Sequence, residues 1–389
     1  MISSLDSPPR TDPSSGLTRV ARLSERMAQH REQQSEEAAR RFPEQEFAWL
    51  REAGLLSITL PGQPLAFNQA PTARQLQLLK LIGRGNLSVG RIYEGHINAL
   101  YLIHLFGAPA QRERWYADVQ HGQHLFGVWN TQAHDGVSIV AQGDGHYVLQ
   151  GAKTFCSGAR HVTRPIVPGK LIDEEGQERG WQMAIVPLDE HPEAPVDPSF
   201  WKPLGMHASV SHKIDFSGIT LTEDDLLGQP NDYHTQPYFS GGAIRFAAVH
   251  LGGAEAIFDA TRTYLQQLHR TDDPYQRMRL GEMAILIETG NRWIAQAGQQ
   301  ADSAASPEQI INYANMTRSV IERIGLEVMQ LAERCVGARG LLHPQAFARL
   351  HADLTTYLRQ PAPDIALAQV GQYVGEQTTS AHALWSDHL

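Results

Sequence analysis

Cysteine is nearly missing from this chain: of 389 residues only Cys156 and Cys335 carry thiols. Two thiols so far apart exclude a disulfide framework, leave no paired-thiol zinc site and suit a reducing compartment. Blocks of like charge are absent too, because the formal net charge of −9 is spread along the whole length. No electrostatic footprint for nucleic acid or anionic lipid results, so neither is expected as a partner. No run approaches the ~18 apolar residues that a membrane span needs, and the opening MISSLDSPPRTDPSS lacks a basic segment followed by an apolar one. A soluble, cytoplasmic protein with no membrane partner is expected. Repeats of roughly 20 to 50 residues are missing, which excludes a solenoid.

What is present is an apolar content of 42%, ample for two or three packed subdomains. Residues 1–15, rich in Ser, Pro and Asp, read as a flexible tail. From 16 to 123 the pattern is helical, beginning with Leu17, Val20, Leu23 and Met27 at helical spacing. EFAWLREAGLLSITLPG (46–62) reads as a helix broken at Gly54 and Pro61, and IYEGHINALYLIHLFG (92–107) as a buried one. Between 124 and 235 the period changes to short β-branched and aromatic runs, with Asp144-Gly145 as a hairpin turn, so a middle domain of mainly antiparallel strands is expected. Helical spacing returns over 236–389. There Ser306, Pro307 and Gln309 form a helix start with a capping box, and Val320, Ile324, Val328, Leu331 and Cys335 make one apolar face, which assigns Cys335 to packing.

This α+β order resembles the acyl-CoA dehydrogenase superfamily of flavoproteins from about residue 20 to 375. VWNTQAHDGVSI (128–139) resembles the family's first flavin segment, x-x-x-T-E-P-x-x-G-S-D, with Thr131 on its threonine and Gly136 on its glycine. KTFCSGARH (153–161) resembles the second, K-x-W-I-T/S-N/G, with Phe155 on the ring that lies against the isoalloxazine and Ser157 on the hydroxyl that reaches N5. KPLGMHASVSHKIDFSGITLTEDDLLG (202–228) resembles the strand pair that enters the last domain. The resemblance implies an N-terminal helical domain, a middle β domain and a C-terminal helical bundle. It implies FAD, with FMN as the alternative, held by Trp129, Asn130, Thr131, Gly136, Phe155, Cys156 and Ser157. It further implies a homodimer or homotetramer, in which Arg270 stands in for the arginine that reaches a neighbouring subunit's flavin, and an acyl-CoA or carrier-bound acyl group as the small-molecule substrate. Taken without the family, Thr131 and Ser157 suit a flavin's polar edge and Phe155 its wall, while equally suiting backbone satisfaction in strands and a place in the core.

The departures from the pattern concern chemistry. Gln132-Ala133 replaces Glu-Pro, Val137 follows Gly136, and HRTDDPYQRMRLGEM (269–283) lacks the family's Phe-Gly. The family's catalytic Glu, eight residues after an Arg-Asp pair, falls on Pro361, since Ala352-Asp353 stands at the pair, and the second known slot holds Ile244 before Arg245. The usual base of α,β-dehydrogenation is therefore expected to be absent. FCSGARH is closer to F-C-S-G-x-x-H of the superfamily's monooxygenase branch, whose histidine position holds Gln360. The candidate catalytic groups are Gln360, Arg359, Asp364 and Ser157, with Glu255, His161, His207, His250 and His343 as further titratable groups and no metal set. Three readings follow: a flavin-dependent oxidoreductase acting on an acyl-CoA-like or related substrate, a two-component monooxygenase using reduced flavin and O2, or a catalytically inactive scaffold, flavin-binding or flavin-free.

Overall fold

A computed structural model of the chain describes residues 13–342, 345–359, 362–380 and 383–384. Five helices come first: α1 (Pro13–Gln33), α2 (Glu44–Glu52), α3 (Thr72–Gly85), α4 (Leu87–Phe106) and α5 (Pro109–Gln120). Helix α2 ends just before Gly54, whose φ of 68° belongs to the left-handed region a glycine enters freely. Asn86 caps α4 by accepting from the amides of Ser88 and Val89 at 3.0 and 3.2 Å. Most of α4 is buried, as its apolar sequence requires, but it carries Glu94 and His96 into the interior, with Arg91 half-buried beside them. His96 is held neutral there, its pKa lowered to about 4 by burial.

Ten strands follow: β1 (Phe126–Val128), β2 (Ser138–Gly143), β3 (His146–Gln150), β4 (Ala152–Cys156), β5 (Arg164–Ile172), β6 (Glu178–Ile185), β7 (Val196–Asp197), β8 (His212–Asp215), β9 (Thr220–Thr222) and β10 (Leu226–Leu227). They form a sheet in the order β10-β6-β5-β2-β3-β9, with β1 alongside β5, and a small sheet β4-β8-β7. The turn between β2 and β3 has positive φ at both Asp144 and Gly145, 51° and 72°, the primed geometry expected of Asp-Gly. The pairing is mainly antiparallel, as expected, with two parallel exceptions: β1 and β2 both run parallel to β5. The segment from 129 to 137 carries the chain along one edge of β5 without reversing it, and β3 and β4 provide the long return that a parallel pair needs.

The last part is helical: α6 (Tyr238–Gly241), α7 (Ala243–Gln267), α8 (Pro274–Ala301), α9 (Pro307–Gly340), α10 (Ala346–Tyr357) and α11 (Pro363–Glu376). Helix α9 starts with the capping box of Ser306 and Gln309, and Cys335 is buried on its apolar face. No described helix is long and apolar enough to cross a membrane.

The first and last helical parts join where α3 meets α7. A Cβ on Gly252 would lie 2.1 Å from the carbonyl oxygen of Lys80, and one on Gly83 would lie 2.6 Å from that of Val249. Backbone touches backbone here. Flanking the contact, Lys80 donates to Glu255 at 2.7 Å and Arg84 to Asp259 at 2.8 Å. Gly252→Val is expected to lower stability by about 1–3 kcal/mol or prevent folding, because the clash is with main chain that cannot step aside. Gly281→Ala, whose added methyl meets nothing within 4 Å, is expected to be neutral or slightly stabilising. Urea unfolding of the two variants tests the contrast, and equal midpoints would refute it.

Candidate functional site

Between the sheets and the two helical parts lies a cavity of about 600 Å³. One wall comes from the end of β1, the segment after it and β4, and supplies Val128, Asn130, Thr131 and Phe155. Facing it, α4 contributes Arg91, Glu94 and Asn98, α7 contributes Arg245 and Phe246, and α9 and α10 contribute Arg318 and Tyr357.

The β wall is shaped by a break in alternation. The β4–β8 register shifts between Lys153 and Cys156, and Phe155 within this bulge takes a φ of 55°. A left-handed aromatic residue costs on the order of 1–3 kcal/mol. In return Lys153 and Cys156 both turn inward while the Phe155 ring, 37% exposed, stands in the pocket with its edge contacts to Phe200 and Trp201 at 5.1 and 5.9 Å. Lys153 then ties the two segments of the wall together. Its fully buried ammonium donates to the Asn130 carbonyl at 3.1 Å and to Gln132 Oε1 at 2.6 Å, 4.9 Å from the centre of the Trp181 ring. Gln132 fits because Gly136 has no side chain; a Cβ there would be 2.3 Å from the Gln132 amide carbon. With an amide where the family has a glutamate, no carboxylate balances Lys153, and burial lowers its pKa to about 7.

Of the residues singled out in the sequence, Asn130, Thr131 and Phe155 share the large cavity. Trp129 is turned into the core, donating from its indole nitrogen to the Ser157 carbonyl at 3.1 Å. Cys156 is fully buried, and burial pushes its thiol up. Ser157 is buried in a hydroxyl chain, 2.8 Å from Ser211, which is 2.7 Å from Ser209, which donates to the Met206 carbonyl at 2.9 Å. Ser157 lines a second cavity of about 10 Å³, of which Arg91 and Tyr357 are also walls. Arg359 lines the large cavity and donates to Glu322 at 2.6 Å. Asp364 is exposed in the first turn of α11, and Arg270 lies at the turn after α7, 3.6 Å from Asp273; neither lines a cavity described here. Glu255 is occupied by Lys80, and His161 is stacked on Phe42 at 3.7 Å. His250 is buried and held neutral, its pKa lowered to about 3. Gln360, Pro361 and His343 lie outside the described residues. Ile244 is buried, so its slot presents no base, whereas its neighbour Arg245 faces the cavity.

The pattern reading passed over Arg91, Glu94, Asn98 and Arg245. The signal was there: ionisable side chains inside a helix apolar enough to be buried need partners or a cavity. Arg91 donates to Glu94 at 2.9 Å, and Arg318 and Arg359 share Glu322 at 3.0 and 2.6 Å. Arg245 donates to the Asn98 amide oxygen at 2.6 Å and lies 5.1 Å from the centre of the Tyr101 ring. Buried polar atoms at the cavity that make no hydrogen bond of good geometry include Arg245 Nε and Tyr357 Oη. Burial pushes the Tyr357 and Tyr233 phenols up, so both remain neutral donors. No cluster of His, Cys, Asp and Glu fit for a metal occurs among the described residues.

Residues 17–123 match the N-terminal domain of the acyl-CoA dehydrogenases and 234–358 their C-terminal domain, together more than half of the chain. A dibenzothiophene monooxygenase of Rhodococcus erythropolis is 26% identical over 83% of this chain and 85% of its own. A probable FMNH2-dependent monooxygenase of Pseudomonas putida, SfnC, is 22% identical over 98% of this chain and its entire length. The FMN-bound crystal structure of TdsC from Paenibacillus sp. A11-2 superposes with a TM-score of 0.82 at 21% identity, covering 92% of this chain and 97% of that one.

A lysine whose pKa is depressed in the folded state binds fewer protons there than in the unfolded chain between about pH 7 and its unfolded value of 10.5. Stability therefore rises with pH in that window and is reduced on its acid side. Lys153→Met removes the effect. The melting temperature of the wild type minus that of the variant is expected to increase from pH 7 to pH 9, and a flat difference would show that Lys153 stays charged.

Proposed function

The chain belongs to the acyl-CoA dehydrogenase superfamily, and from that premise we propose that it is a flavin-dependent monooxygenase acting on a small organic substrate in the large cavity. The carrying observation is the make-up of the wall. Its one carboxylate among the described residues, Glu94, is bonded to Arg91, while four guanidiniums line the same space. Acyl dehydrogenation needs a carboxylate free to take an α-proton, and none is offered. The two relatives described as monooxygenases support the same reading.

The residues fit a flavin, FAD or FMN. Phe155 would form the wall for the ring system, Asn130 and Thr131 would meet its polar edge, and the buried hydroxyl of Ser157 lies behind Phe155 in sequence. When bound and reduced, the flavin supplies the two electrons with which O2 yields one oxygen atom to the substrate and one to water. The chain's own contribution is positioning and hydrogen bonding. Tyr357 keeps a neutral phenol at the cavity and can donate its proton from Oη to an oxygen atom there. Arg91 stands beside it in both cavities, so its guanidinium stabilises negative charge that develops on that oxygen.

A second reading is favoured by Glu94 itself. If the ion pair with Arg91 opens, Glu94 is a base in the cavity, and the protein would be an acyl-CoA dehydrogenase. Anaerobic addition of butyryl-CoA and longer acyl-CoA esters to the oxidised flavoprotein separates the two: no bleaching near about 450 nm is expected, and bleaching would establish the dehydrogenase. After chemical reduction and admission of oxygen, the return of that absorbance is expected to lag behind free reduced FMN, and a return as fast as free FMN would refute the monooxygenase. Phe155→Ala is expected to weaken FMN affinity by about tenfold, the loss of one stacking surface. Fluorescence titration measures it, and failure of the wild type to bind FMN or FAD would leave only the inactive scaffold.

A further inference from the structure

Arg245 is the exceptional cation of the cavity. Arg91 has Glu94, and Arg318 and Arg359 have Glu322, all within hydrogen-bond distance. Arg245 has a neutral amide, Asn98, and the face of Tyr101. Its Nε is sealed from solvent and makes no hydrogen bond. Counting the side chains bonded to one another at this wall, four guanidiniums face two carboxylates, so the wall has positive charge in excess. One unit of that surplus falls on Arg245, for Arg318 and Arg359 share the other; the carboxylate that acts on it is Glu94, already bonded to Arg91.

A guanidinium in low dielectric without a carboxylate is unfavourable, and the arrangement becomes favourable when an anion enters and takes its donors. The space beside it suits a flat molecule, for Tyr233, Tyr238, Phe239 and Phe246 line the same cavity. An unsubstituted polycyclic hydrocarbon or heterocycle would leave the Arg245 donors unmet, and a plain acyl chain would do the same.

We propose that Arg245 is the anion receptor of the cavity and that the substrate is a small aromatic organic acid whose carboxylate, or equivalent oxyanion, seats on its guanidinium. The proposal rests on the placement of a flavin against Phe155 and Thr131 given above. Asn98 acts as a positioning residue: its amide oxygen orients the guanidinium without cancelling the charge, which an aspartate would do. The same anion chemistry could come from the phosphate of the flavin, and the test separates the two sources.

The FMN-reconstituted protein is titrated with naphthalene-2-carboxylate and with the uncharged naphthalene-2-carboxamide, following the visible spectrum of the bound flavin. The carboxylate is expected to bind about tenfold or more tightly than the carboxamide. Arg245→Gln and Asn98→Asp are each expected to bring the two affinities together, the second while retaining the arginine, and Arg245→Lys to keep part of the preference. FMN and riboflavin affinities should be unchanged across the set. Equal affinities in the wild type, or no response to either compound, would overturn the proposal. So would a loss of FMN but not riboflavin affinity in Arg245→Gln, which would assign the anion to the cofactor's phosphate. Because binding is read rather than turnover, acid selectivity in a protein whose reduced flavin reoxidises like free FMN would overturn the monooxygenase reading alone.

Discussion

The contact on which the rest of the molecule depends is the meeting of main chain with main chain between α3 and α7. Gly83 and Gly252 let the two helices approach until carbonyl oxygens occupy the space where side chains would stand. Gly90, one turn into α4, makes room for the Val249 side chain of α7, whose Cγ1 would lie 2.7 Å from an added Cβ. Because α4 and α7 are the two helices that carry Arg91, Glu94, Asn98 and Arg245, their separation sets the width of the cavity. A wider spacing would break the 2.6 Å bond from Arg245 to Asn98, whose two ends lie on different helices and 147 residues apart in sequence.

A second tether fixes the β part beneath these helices. The carboxylate of Asp353 on α10 accepts from the Met206 amide, and Thr356 one turn later accepts from the Gly205 amide at 2.9 Å. Burial raises the pKa of Asp353 to about 6, with the Met206 amide, Arg31 and Arg349 acting in the opposite direction. The segment held in this way carries Ser209 and Ser211, which hold the Ser157 hydroxyl. Thus the aspartate that the sequence pattern places next to a missing catalytic motif is occupied in holding backbone, several residues away from any chemistry.

The order of helix, strand and helix was legible because period and turn chemistry are local properties: Asp144-Gly145 makes its hairpin and Ser306 with Gln309 its capping box. Asn130, Thr131 and Phe155 were legible as neighbours only through the family pattern, since nothing in a strand's alternation says which cavity it faces. Trp129 sits between two lining residues yet points to the core, a direction that the pattern does not carry. The parallel pairing of β1 and β2 with β5 was hidden because short strands carry no mark of orientation. Arg245 was visible only as the residue after Ile244. Its meaning depends on what does not face it, and that is a property of the folded wall rather than of the neighbouring letters.

The bulge in β4 has an evolutionary consequence. In a regular strand, inserting or deleting one residue exchanges the two faces, and here the irregular register between Lys153 and Cys156 already holds two inward side chains on either side of one outward ring. Substituting Phe155 changes the surface offered to the cavity, but changing the length of the segment would send Lys153 outward and unfasten Asn130 and Gln132 with it. Descendants of this chain are therefore free to vary the chemistry of the wall one residue at a time, while the number of residues between Lys153 and Cys156 is the quantity that drift cannot touch.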